Sequence, residues 1–150
     1  MTRTPEQPLA GPNYASARFG APSQWIEHVL HHPRRGDVEG KVFLGGTLAL
    51  TGMEVSLGTL LPGAAQPFLH AHRQNEELYL FLSGEVEMQV DGQIIPVAAG
   101  SAVRIAPEGM RGWRNTGQEP LNFVVVQAKA GSLEQATAQD GRLGEQAPVW

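Results

Sequence analysis

From Lys41 to Lys129 the chain is a succession of short apolar segments, each closed by glycine or proline and none long enough for a packed helix. That rhythm is expected of an antiparallel sandwich or barrel and leaves little room for crossover helices. Strands are predicted over residues 42–44, 53–61, 67–72, 77–82, 85–90, 93–95, 102–106, 111–116 and 121–128. In one of them Val86, Met88 and Val90 alternate with Glu85, Glu87 and Gln89, the pattern of a strand with one wet face. Asp91-Gly92 tolerates the positive φ of a type I′ turn and predicts a tight hairpin into Gln93-Ile94-Ile95. Many short strands with almost no helix between them argue against an α/β fold, and 150 residues suffice for one domain with a full core.

The flanks differ. Residues 1–40 form an N-terminal arm whose first part is rich in small residues and lacks periodicity, so it reads as loose or laid across a partner subunit. Within it, residues 24–32 fit a short helix turn carrying Trp25 and Val29 on one side, or a strand, about equally well. Residues 41–130 are the barrel. Residues 131–150 form a tail in which Ser132, with Gln135 three positions on, predicts a short helix to Gln139. The formal net charge of -4 and the absence of any basic run longer than Arg34-Arg35 give no footprint for nucleic acid. No apolar run is long enough to span a membrane, and the first twenty or so residues lack the order of a secretory signal, so a cytoplasmic protein is expected. With no cysteine, any metal must be held by nitrogen and oxygen.

Chemistry is concentrated between His70 and Gly84. In extended chain His70 and His72 emerge on one face, about 7 Å apart along the strand, so two imidazoles can aim at one point. Glu77, past a short polar turn, shares its face with Tyr79 and Phe81, and a carboxylate on an apolar wall needs a cation or hydrogen-bond donors. Two imidazoles and a carboxylate suit a divalent transition metal with open positions. The remaining histidines, 28, 31 and 32, all lie in the arm. His31 and His32, being adjacent, project apart and read as surface polar. Arg104, Arg111 and Arg114 cluster around Trp113; Arg111 is the one expected to face inward, where a guanidinium can clamp a carboxylate. No nucleophile elbow or phosphate-binding glycine loop is present, which leaves acyl transfer and nucleotide hydrolysis unsupported.

These residues resemble the cupin superfamily of small double-stranded β-helix barrels. The family's first motif is glycine, five residues, His-x-His, three or four residues, Glu, six residues, Gly. Here Gly63, six residues, His70-Ala71-His72, four residues, Glu77, six residues and Gly84 match it with one extra residue at the front. Gly100, Pro107, Gly109 and Asn115 resemble the second motif, but its metal-binding histidine is missing and Arg111 stands near that position. Residues 74–79, 106–109 and 113–115 are further similar to a branch of bacterial single-domain cupins.

The resemblance implies an all-β, jelly-roll-like cupin barrel, a homodimer, and a divalent metal (Fe, Mn, Ni or Zn) at His70, His72 and Glu77. It also implies a small, carboxylate-bearing ligand among Tyr79, Phe81, Met88, Arg111 and Trp113. Three readings remain open: a facial metal site with oxygenase- or isomerase-type chemistry, a metal-free pocket binding an anion through Arg111 and the histidines, and a non-catalytic sensor or accessory protein.

Overall fold

The structure, a computed structural model, describes residues 2–150. In chain order its strands are β1 (Leu9–Gly11), β2 (Tyr14–Ser16), β3 (Val29–His32), β4 (Gly36–Glu39), β5 (Lys41–Phe43), β6 (Glu54–Leu60), β7 (Asn75–Ser83), β8 (Val86–Val90), β9 (Gln93–Ile95), β10 (Ala102–Ile105), β11 (Arg111–Asn115) and β12 (Leu121–Lys129). A single helical turn, α1 (Gly45–Leu48), lies between β5 and β6, and 3-10 turns cover Pro22–Glu27 and Thr137–Gln139. The helix expected from Ser132 to Gln139 is thus a three-residue turn. The ambiguous arm segment is both things in succession, a 3-10 helix and then β3.

Two antiparallel sheets make the barrel, one ordered β10-β7-β12-β6-β5 and the other β11-β8-β9. Alternation decides what each strand buries. On β7, Glu77, Tyr79 and Phe81 point inward, while Leu78 and Leu82 keep 37% and 48% of their surface on the outer face. The inward residues meet Val86 and Met88 of β8, Trp113 of β11 and Phe123 of β12 in one core. Edge-to-face contacts fix it: the Trp113 ring lies 4.9 Å from Tyr79 and 5.4 Å from Phe123. Asp91 and Gly92 have φ of 49° and 80°, the two positive values that the β8–β9 turn requires.

The predicted strand over residues 67–72 does not form. The segment runs beside β11 through two isolated bridges, Ala65 to Arg114 and His70 to Arg111, and Pro67 cannot donate to a continuous ladder. Even so, the His70 bridge is closed in both directions, His70 N–H to Arg111 O at 3.1 Å and Arg111 N–H to His70 O at 3.0 Å. The histidine pair is therefore pinned to the sheet that carries Arg111.

Part of the arm packs on the barrel: Phe19 and Trp25 bury against Leu57 on the outer face of the larger sheet. His28, 1% exposed, lies between the carbonyl oxygens of Arg3 and Phe19, at 3.1 Å and 2.8 Å, and ties the arm down. From that anchor the β3–β4 hairpin extends over the open end of the barrel.

Candidate functional site: a cavity above a buried carboxylate

The barrel opens into a cavity of about 1090 Å³. Its floor carries His70, His72, Glu77, Tyr79 and Trp113; its roof is the β3–β4 hairpin, with Leu30, His32 and Val38 facing in and Arg35 at the rim.

Glu77 is the hub. It is 5% exposed, and both its oxygens are engaged. Oε1 accepts from His72 Nε2 at 2.9 Å. Oε2 accepts from the Tyr79 hydroxyl at 2.5 Å and from the Nη2 of Arg111, whose Nε lies 3.1 Å away. Burial alone would raise the carboxyl's pKa, but the bonds from Tyr79 and Arg111 outweigh it and hold Glu77 below the usual carboxylate range. Burial, reinforced by the adjacent carboxylate, pushes the Tyr79 hydroxyl up, so it remains a donor. Burial would lower the guanidinium's pKa, yet the bonds with Glu77 and Tyr79 raise it. The three groups form one satisfied network between β7 and β11, strands of opposite sheets.

Arg111 is spent on the protein and does not line the cavity. It is completely buried; its Nη1 bonds the carbonyls of His70 and Gly109, both at 3.1 Å, and its Nε also faces the Tyr79 hydroxyl at 3.1 Å. It lies beneath the cavity rather than in its wall, and the carboxylate it clamps is Glu77 of its own chain. Phe81 and Met88, also expected as wall residues, are 1% and 0% exposed and belong to the core below. Tyr79 and Trp113 do reach the cavity.

His70, His72 and Glu77 come together as expected, each offering a ligand atom within 4.8 Å of the others. His70 Nε2 stands 4.0 Å from Glu77 Oε2. Its Nδ1 is buried without a partner, so this imidazole is uncommitted. Burial, helped by the charge of Arg111, lowers the His70 pKa to about 4, and the ring is neutral at pH 7, the form that ligates metal. The 2.9 Å between His72 Nε2 and Glu77 Oε1 is close to the spacing of neighbouring ligands on one ion with bonds of about 2.1 Å. The donor set therefore fits a divalent metal, with Glu77 restricted to Oε1 because Arg111 and Tyr79 occupy Oε2. His32 shares the cavity but lies outside this cluster, and His31 pairs instead with Asp37 at 2.6 Å on the surface.

Residues that the motifs did not flag also line the space: Lys41 and Phe43 from β5, Phe68 from the segment before His70, and Arg35, whose guanidinium lies 3.3 Å from the Phe68 ring centroid. Burial lowers the Lys41 pKa to about 8, against the opposing pull of Glu77 and Glu54. The only sequence signal for Lys41 was its place two residues before Phe43 at a strand start, which would put both on one face.

A sheet sandwich with a His-x-His and glutamate cluster at the mouth defines a class of protein, and comparison identifies the family. The chain belongs to the cupin family: the Cupin domain model matches residues 56–127. A cupin protein from Bacteroides fragilis is 46% identical over 69% of this chain and 88% of its own, with a TM-score of 0.67. A predicted oxalate decarboxylase from Thermotoga maritima (24% identity, 68% of this chain and 90% of its own, TM-score 0.56) shares the fold. So does the Cupin_2 domain of an XRE family transcriptional regulator from Enterobacter cloacae (22% identity, 59% and 93%, TM-score 0.51). No curated protein matches the chain. Among the described residues no helix is long and apolar enough to cross a membrane.

Proposed function

We propose that this cupin is a metal-dependent small-molecule-binding protein in which His70, His72 and Glu77 hold one divalent ion, Fe, Mn, Ni or Zn, at the cavity floor. The observation that carries the reading is the meeting of an uncommitted, neutral His70 with His72 and an ionised Glu77 within 4.8 Å. A divalent ion at such a site supplies Lewis acidity toward a ligand oxygen. The chain's own residues do the rest. Arg111 and Tyr79 keep Glu77 ionised and turn one of its oxygens away, His72 and His70 present neighbouring nitrogens, and Trp113 and Phe68 wall the ligand's apolar part from water. Oxygenase- or isomerase-type turnover of a small carboxylate is the activity this arrangement supports. If metal-replete protein neither consumes dioxygen nor converts small carboxylic acids, the activity is withdrawn in favour of ligand sensing.

Elemental analysis of untagged protein is expected to give close to one metal per chain, and His70→Ala with His72→Ala is expected to abolish it. Metal-free protein that stays metal-free on incubation with each ion would support a second reading. In that reading Arg111, Tyr79 and His72 satisfy Glu77 and the cavity binds an anion without metal. Exposed Leu78 and Leu82 on the outer face of β7 support a homodimer. Light scattering at micromolar concentration is expected to give twice the 16.1 kDa chain mass, and a monomer there removes this assignment.

A further inference from the structure

The cavity contains a cation, Lys41, with no ion-pair partner among the described residues. Lys41 extends from β5 into the space, where its Nζ donates to Ser56 Oγ at 2.8 Å and stands over the rings of Phe43 and Phe123 at 5.3 Å and 5.8 Å. An ammonium has three donors, and the chain fills one. Among the described residues no carboxylate lies within 4.0 Å of it. Aromatic faces attract a cation but accept no N–H bond of full strength, so two donors remain directed at the cavity.

The neighbouring acids are already committed. Glu77 is engaged by Arg111, Tyr79 and His72. Glu54 Oε1 accepts the backbone N–H groups of Gly45 and Val55, at 2.7 Å and 2.9 Å. Asp37 pairs with His31 on the surface. Glu39 remains, exposed at the rim. Among the described residues Lys41 thus has no carboxylate in ion-pair contact, and two of its donors have no partner. A charge in that position calls for a counter-ion from outside the chain.

We propose that Lys41 is the anion anchor of the cavity, holding the carboxylate of a small monocarboxylic acid whose apolar body lies against Phe43, Phe68 and Trp113. A carboxylate brings one negative charge to the Lys41 ammonium and leaves an apolar body to meet the rings; a phosphate dianion would bring nearly twice that charge and no apolar body. Ser56 Oγ, already beside Nζ, can give its own proton to the second carboxylate oxygen. The assignment rests on reading the cavity as a small-molecule site, but not on the metal.

Titration calorimetry on the full chain tests it with benzoate, phenylacetate, their neutral amides and inorganic phosphate, each at millimolar concentration. At least one carboxylate is expected to bind about tenfold or more tightly than its amide and than phosphate, the difference a charge-assisted bond makes. Lys41→Met is expected to remove that preference and Lys41→Arg to keep most of it, with the metal content of both unchanged. Circular dichroism checks that each variant is folded. Equal affinity for acid and amide, undiminished binding in Lys41→Met, tighter binding of phosphate, or no binding by any probe overturns the anchor. The His70→Ala, His72→Ala protein separates the two readings. Loss of metal with acid-over-amide preference intact leaves both standing, whereas absence of metal in the parent protein removes the metal alone.

Discussion

Arg111→Met is expected to lower the stability of the protein by about 3–5 kcal/mol, the usual result of removing one partner from a buried ion pair. Arg111 and Glu77 are 0% and 5% exposed, so the carboxylate left behind keeps only Tyr79 and His72 as protein partners. Four further bonds go with it, because the same guanidinium closes onto the Tyr79 hydroxyl, the Gly109 carbonyl and the His70 carbonyl and holds Glu77 through its Nε. Urea denaturation at pH 7 measures the loss. A second substitution, Glu77→Gln, should restore much of it by removing the stranded charge, and the double-mutant cycle gives the coupling directly. A cost below about 1 kcal/mol for Arg111→Met alone would mean that the pair does not bolt the sheets together as described.

Gly84→Ala is the second large effect. Gly84 has φ of +85°, and a Cβ there would meet Leu121 Cα at 2.8 Å and the Pro120 carbonyl oxygen at 2.9 Å, both backbone atoms that cannot rotate away. Left-handed strain and overpacking together are expected to cost about 2–4 kcal/mol. Gly100→Ala isolates the first part, since its φ is +88° with nothing within 4 Å of the added carbon, and should cost only about 1–2 kcal/mol. Equal melting temperatures for the two variants would remove the steric half of the argument.

Strands with two distinct faces were legible in the sequence, β8 most of all, since an alternation of valine or methionine with charge leaves one way to bury the strand. The segment before His70 was not. Its extended shape was readable, but whether it joins a ladder depends on Pro67 and on what β11 offers, neither visible locally. The site divides similarly. His70, His72 and Glu77 follow from spacing, because three donors on adjacent turns of extended chain can converge. The inward direction of Arg111 also followed from its motif position, whereas its partner depended on the register that brings β11 opposite β7. Phe81 and Met88 were assigned to the cavity because alternation tells which face a side chain takes, not how deep below the surface it ends. Lys41 was missed for the opposite reason: a lysine at a strand start reads as solvated until the roof is folded over it.

The hairpin that roofs the cavity comes from outside the segment that defines the family. Leu30, His32, Arg35 and Val38 all precede Ser56, where the match to the Cupin domain model begins. Floor and ceiling are therefore separate pieces: the barrel supplies the reactive donors, and the hairpin of residues 29–39, tied on by His28, supplies the roof that a visiting molecule meets. Substitutions in this hairpin are expected to change which molecule binds while Glu77 and its partners stay untouched.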